Sequence, residues 1–324
     1  MKIAGIFVLF FLLGSKNIVL GQNTDTLVRK LDSLSNQMDS AGGQINNTAP
    51  PAYNEATAIT PKTYFILLWS DIKQAYTKPF HMTGRDWRVT GEFALVAGGV
   101  ALLDEPIQRQ ALEWRNSSAG LRKTSNYITN FGGTYEVYVL GGLGLAGYVF
   151  KNKKMQTTTL LASQSYITGA LLETTLKFVT GRDRPYIVDP NTLEAEPRFH
   201  GPFYKTPKNL NGGTTNSAFP SGHTTVAFAA ATVYALEYKD RIWVPILAYS
   251  AAGLIGLSRI IENKHWATDV LCGAALGYLS GRLTVNNYHR YAQIKTPGTR
   301  KATVAFNLQY RFGQIAPGFV YTFR

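Results

Sequence analysis

Three short clusters along this 324-residue chain combine cations, histidines and a carboxylate in a way that suits chemistry on an anion. In the first, Lys177-Phe-Val-Thr-Gly-Arg-Asp-Arg184-Pro185, a lysine closes an apolar helix that Gly181 stops, and Arg184 sits in a turn fixed by Pro185. Alone, such cations often do no more than complement a helix dipole. The second, Pro220-Ser221-Gly222-His223, opens an apolar helix. A helix start presents unpaired N–H groups and the positive end of the dipole, where a phosphate sits well. Gly222 lets the backbone come close, and His223 sets a titratable imidazole beside the anion. In the third, Ser258-Arg259 is followed by His265 and Asp269. If 265–269 are helical, the two lie one turn apart, and Asp269 is expected to accept the Nδ1 proton of His265 and leave Nε2 free as a nucleophile.

The elements that must position these groups read as helices. Apolar stretches over 63–76, 92–103, 135–150, 157–178, 222–238, 242–261 and 266–283 alternate with loops, with breaks at Asp104-Glu105-Pro106 and Gly132-Gly133. A bilayer span needs about 20 mostly apolar residues. Here 242–257 carries Pro245 and Ser250, and 155–172 is laced with Thr and Ser. The mean hydropathy of −0.08 points the same way, so a soluble or peripherally attached bundle is expected, with membrane-surface contact kept open. The tail differs in kind. Val304 to Phe312 alternates with period two, and Phe319 to Phe323 repeats the pattern after Gly313 to Gly318, which predicts a β-hairpin lying against the bundle.

At the other end, Lys2, the apolar run Ile3 to Gly14 and small residues near Gly21 have the layout of a secretory signal peptide. The expected organisation is a signal peptide over 1–21, an N-terminal helix and linker over 22–61, a helical domain over 62–290 and the hairpin over 291–324. Export to the periplasm or another extracytoplasmic space suits a chain whose one cysteine, Cys272, has no partner for a disulfide. Thirty-three Lys and Arg against 20 Asp and Glu give +13, or 31 − 20 = +11 after loss of Lys2 and Lys16. That balance favours anionic partners such as phosphate esters or anionic lipid. No nucleic-acid recognition motif accompanies it. No Gly-rich nucleotide loop or acidic pair at metal spacing is present, so neither a metal nor another cofactor is expected.

Taken together, the clusters are similar to the signature of the type 2 phosphatidic acid phosphatase and vanadium-dependent haloperoxidase superfamily. Lys177, Arg184 and Pro185, then Pro220 to His223, then Ser258, Arg259, His265 and Asp269 supply all eleven of its fixed positions in order. The resemblance covers roughly residues 90–285 and implies an all-α helical bundle, here with the short C-terminal β-hairpin appended. It also implies roles. His265 attacks phosphorus and forms a phosphohistidine, while Asp269 orients the imidazole. Lys177, Arg184 and Arg259, with the Ser221 hydroxyl and the Gly222 N–H, bind the phosphate oxygens. His223 protonates the leaving group and then activates water. The expected activity is metal-independent hydrolysis of a phosphomonoester or diphosphate, on a phosphorylated lipid or a small soluble ester. The alternative keeps the cage but gives a haloperoxidase with vanadate bonded to His265. A non-catalytic anion-binding protein is disfavoured because no motif position is degraded. Outside the motifs, the 186–219 loop, with Asp189, Glu194, Glu196, Arg198, Lys205 and Lys208, is a candidate lid. His200 reads as a solvated loop residue, and Trp266 as a packing residue.

Overall fold

The computed structural model describes residues 59–188, 194–204 and 217–295, together with the backbone of two strands, 303–311 and 314–322. The signal peptide, the N-terminal helix and linker, and Asp189, Lys205 and Lys208 of the candidate lid lie outside the described residues. Nine α-helices form the described body: α1 Pro61–Thr77, α2 Gly84–Ala101, α3 Asp104–Ser117, α4 Ala119–Thr129, α5 Thr134–Val149, α6 Lys153–Thr180, α7 Gly222–Glu237, α8 Trp243–Ile261 and α9 Ala267–Lys295. The all-α bundle expected from the sequence is what the chain forms.

Local signals account for the helix ends. Thr60 caps α1 by accepting the Thr63 N–H, with Pro61 at the first helical position. Thr83 and Asp86 form a reciprocal capping box on α2. Gly181 ends α6 in the left-handed region at φ 54°, a conformation that costs glycine nothing.

Two helices depart from the sequence reading. Asp104-Glu105-Pro106 is not a break between apolar helices but the first turn of α3, and α4 follows directly behind the Ser118 cap. Both are too polar to show an apolar run, and their buried faces are narrow: Ala111 and Gln108 on α3, Ser125 on α4.

The bundle is built around α7. Twelve of its sixteen residues are buried, nearly all of them Ala, Thr or Val, so neighbouring backbones can approach from several sides. The helix α9 meets it through Gly273, Gly277 and Gly281, one on each successive turn. A Cβ at Gly277 would lie 2.2 Å from the Thr225 carbonyl oxygen, and one at Gly273 would lie 2.7 Å from that of Ser221. On another side, Gly169 of α6 packs on Thr225 and Ala229; from α8, Gly256 faces Thr224. Larger residues fill the distal end, where Leu67, Leu161, Val233, Val285 and Tyr288 form one buried cluster.

Substitution at the α7–α9 seam should therefore be severe. Gly277→Val is expected to destabilise the fold by about 3 kcal/mol or more, at the upper end for overpacking. Gly98→Ala, at a position with open space around it, should change little. Thermal unfolding of the two variants side by side checks the contrast.

The outward faces favour the membrane contact that the sequence left open over a bundle wholly surrounded by water. A bundle in water places polar residues outside. Here α1 exposes Phe65, Ile66 and Trp69; α5 exposes Val137, Tyr138, Leu145 and Tyr148; and α8 exposes Ile246, Leu247 and Leu254. Among the described helices α8, with 19 residues, is long and apolar enough to cross a membrane. The Thr and Ser that interrupted the 157–178 run turn inward instead: Thr158, Ser165 and Thr168 are buried.

The hairpin exists as β1 Thr303–Arg311 and β2 Gln314–Thr322, paired antiparallel from Thr303↔Thr322 to Arg311↔Gln314. The reversal thus falls between Arg311 and Gln314, and the Gly313 to Gly318 stretch expected as the turn mostly belongs to β2. Its side chains, and with them the expected seat on the bundle, lie outside the described residues.

Candidate active site

The three clusters meet at one end of the bundle, and the contacts joining them are specific. Arg182, two residues before Arg184, is buried and donates from Nη1 to Asp269 Oδ1 at 2.5 Å and from Nη2 to Asp104 Oδ2 at 2.6 Å. Asp104 also accepts the Thr268 N–H at 2.9 Å and the Thr268 hydroxyl at 2.7 Å. The Ser221 N–H donates to the Asp269 carbonyl at 3.0 Å, tying the start of α7 to the start of α9. Main-chain bonds complete the frame. Ala218 N–H donates to Arg182 O at 2.8 Å, and His265 N–H donates to Arg259 O at 3.3 Å.

His265 lies in the short connection between α8 and α9 and is 2 % exposed. Its Nδ1 donates to the carbonyl of Ala218 at 2.7 Å. This corrects the expected pairing. Asp269 Oδ2 is 3.7 Å from Nδ1, beyond hydrogen-bond reach, and instead accepts the Trp266 N–H at 2.8 Å. The reason is where the helix begins. The α9 helix starts at Ala267, so His265 precedes it, and Asp269 caps the first turn rather than facing the ring. The outcome for the imidazole is unchanged. With Nδ1 occupied as a donor, the proton is fixed there and Nε2 carries the free lone pair. Burial drives the His265 pKa well below its ordinary value, and the charges of Arg184, Arg259, Lys177 and His223 push the same way. The ring is therefore held neutral.

Lys177 closes the last turn of α6 and pairs with Glu173. Arg184 donates to the Lys264 carbonyl at 3.3 Å, and burial lowers its pKa. Arg259 near the end of α8 donates to the Thr129 hydroxyl at 2.8 Å, while its Nε is buried with no hydrogen-bond partner. Ser221 is the N-cap of α7, and its Oγ accepts from the Thr224 hydroxyl at 2.9 Å. Its own proton remains free to donate. Gly222 opens the helix, and among the described residues no acceptor meets its N–H. His223 follows, with its ring beside Gly133: a Cβ there would come within 3.0 Å of Nε2. Lys177, Arg184, Arg259, Ser221, Gly222, His223, His265 and Asp269 thus all belong to one neighbourhood: four of them, Arg184, Arg259, Lys177 and His223, act on the charge of the His265 ring, Asp269 lies 3.7 Å from it, and Ser221 and Gly222 join through the Ser221 bond to Asp269.

Sequence reasoning missed Arg182, Asp104 and Glu173. Arg182 lay inside a motif read for Arg184, and Asp104 inside a supposed break; for Asp104 and Glu173 the signal was an ionisable residue directly after an apolar stretch. Two of the other histidines find local partners. His200 Nε2 donates to Asp183 at 2.7 Å and the ring stacks on Tyr204, so this residue is anchored rather than solvated. His289 pairs with buried Glu237 at 2.8 Å. Trp266 is fully buried and donates to the Asp183 carbonyl at 2.8 Å, a packing residue as expected. Glu196 and Arg198 of the candidate lid pair with each other at 2.6 Å.

A helical bundle whose end gathers cations, a helix N-terminus and a neutral imidazole can hold an anion beside a free Nε2 lone pair. Residues 158–292 match the model of the PAP2 superfamily. The chain is 53% identical over 72 residues to a lipid A 1-phosphatase of Porphyromonas gingivalis, a match covering 22% of this chain and 16% of that enzyme. It is 29% identical over 213 residues to a lipid A 1-phosphatase of Rhizobium etli, covering 60% and 81%. Among solved structures, the transmembrane PAP2-type phosphatidylglycerolphosphate phosphatase of Bacillus subtilis aligns with a TM-score of 0.44 at 23% identity, covering 72% of this chain and 98% of that one.

Proposed function

We propose that this chain is an exported, membrane-associated phosphatase that removes phosphate from a lipid phosphate or diphosphate through a phosphohistidine at His265. One observation carries the reading: a buried imidazole, held neutral with Nδ1 committed to Ala218, lies close enough to Arg184, Arg259 and Lys177 to feel the charge of all three. A nucleophile that uses its Nε2 lone pair beside a bound anion accounts for both features together.

The chemistry follows from the positions. Lys177, Arg184 and Arg259, with the Ser221 hydroxyl and the Gly222 N–H, hold the nonbridging oxygens and offset the charge that develops on them. His265 Nε2 attacks phosphorus in line as the bond to the leaving oxygen breaks. His223, beside Gly133, gives that oxygen a proton; burial and the charges of Arg259, Lys177 and Arg184 lower its pKa, so it takes up that proton when the substrate's negative charge sits beside it. Asp269 lies 3.7 Å from Nδ1 and stabilises the cationic ring that the new P–N bond creates. Water then attacks the phosphohistidine, His223 takes its proton, and His265 is restored as phosphate departs. Every step uses donors of the chain itself, which supports a metal-independent reaction.

The substrate class rests on the apolar outer faces and on the names of the relatives. Large exposed side chains on α1, α5 and α8 suit a lipid environment better than water. Export rests on the reading of residues 1–21.

Release of inorganic phosphate from phosphatidic acid, a prenyl diphosphate, lipid A and a simple aryl phosphate, in detergent with excess EDTA, tests the proposal. Turnover of at least one lipid substrate, undiminished by EDTA and inhibited by vanadate, is expected. Activity that requires added metal, or that vanadate converts to peroxidase activity, would overturn it.

A further inference from the structure

Glu173 is an acidic residue in a site built to attract anions. It lies one turn before Lys177 on α6, and Oε1 meets the Lys177 Nζ at 2.5 Å. Oε2 accepts from the Thr174 hydroxyl at 3.2 Å. Such i, i+4 pairs are common on exposed helix faces. This one is not exposed: both side chains are 11% accessible. The carboxylate also points toward α7, for a Cβ added to Gly222 would lie 2.5 Å from Oε1. Glu173 therefore rests against the first residue of the helix whose N–H groups face the anion, and it holds the lysine that belongs to the same cage. Gly222 is needed here for a second reason, since any side chain would collide with this carboxylate.

The geometry points to Glu173 as a positioning residue and built-in competitor for the phosphate site. It anchors the Lys177 ammonium at the mouth of α7 and takes one of the contacts that a phosphoryl oxygen would make. A bound phosphate must share Lys177 with it and approach a like charge. The transition state gains from the fixed ammonium, whereas the product dianion is held less tightly and leaves. The inference rests on the phosphatase reading above.

Glu173→Gln keeps the acceptor for Lys177 and removes the charge. In the full chain in detergent, its inhibition constant for inorganic phosphate is expected to fall about tenfold, the scale of a partly screened contact between two unit charges. KM should fall with it, and kcat should fall where product release limits turnover. Glu173→Asp draws the carboxylate back from Gly222 and should lower the phosphate inhibition constant by a smaller factor. An unchanged or raised constant in either variant overturns the inference, because a residue that only braces α6 would leave phosphate affinity alone. Thermal stabilisation of the unsubstituted chain by phosphate separates the two readings. If phosphate neither stabilises nor inhibits that chain, the phosphatase reading fails and this inference with it; if it does both while Glu173→Gln shows no tightening, only the inference fails.

Discussion

His265→Asn is expected to lower phosphate release by about four orders of magnitude or more, the scale on which enzymes lose activity when a covalent nucleophile is removed. Asparagine is the better first choice because it retains a donor for the Ala218 carbonyl. His265→Ala leaves that buried carbonyl without its 2.7 Å partner and should add about 1–3 kcal/mol of instability to the loss of activity. The sequence alone suggests that His265 contributes little to packing, but at 2 % exposure it fills space at the junction of α7 and α9. Measuring turnover and unfolding on both variants separates the two roles. Asparagine should stay folded and inactive, and an active Asn variant would remove His265 from the chemistry.

The second large effect is expected at a residue that does not touch the substrate. Arg182→Met strands the carboxylates of Asp104 and Asp269, both fully buried, without the guanidinium that pairs them. Breaking one side of a buried ionic network costs about 3–5 kcal/mol, since a carboxylate left in a dry interior loses its partner without regaining water. The melting temperature should fall sharply and activity should fall with it, because Asp269 caps Trp266 and thereby sets the entry of α9 next to His265. The conservative Arg182→Lys should recover only part of the loss. One ammonium cannot span Asp104 and Asp269 in the forked geometry of a guanidinium. An Arg182→Met variant that melts like the parent chain would show that the triad is not what holds the two motifs together.

Much of the site was legible because its chemistry is written in residue types. Lys177, Arg184, His223, Arg259 and His265 stand at fixed spacings, and the fold gathers them. What spacing does not reveal is the partner of a hydrogen bond. Asp269 is four residues from His265, yet the ring bonds to the Ala218 backbone, and no side chain announces a carbonyl. Asp104 was hidden for another reason. It lies 78 residues from Arg182, and an acidic residue followed by proline looks like the end of something rather than the buried start of a helix. The α7–α9 seam was visible in principle, as glycine at 273, 277 and 281, but only the knowledge that α7 is lined with Ala and Thr gives that period a meaning. Run lengths also misled. Threonines and serines on α6 broke an apolar count, although they turn toward the core and leave Leu160 and Leu171 outside. In a bundle that faces lipid, as proposed above, the polar residues mark the inside, which reverses the inference drawn from a chain assumed to sit in water.

The central claim is a covalent bond between His265 Nε2 and phosphorus, and rapid quenching of a His223→Ala variant with a radiolabelled aryl phosphate, whose leaving group needs no proton from His223, addresses it most directly. Without His223 to activate water, the second step slows and the intermediate accumulates. The account predicts an acid-labile, base-stable label on the peptide containing His265, absent when His265 is also replaced. Label on any other residue would contradict it, as would rapid turnover by direct attack of water with no labelled protein at any quench time.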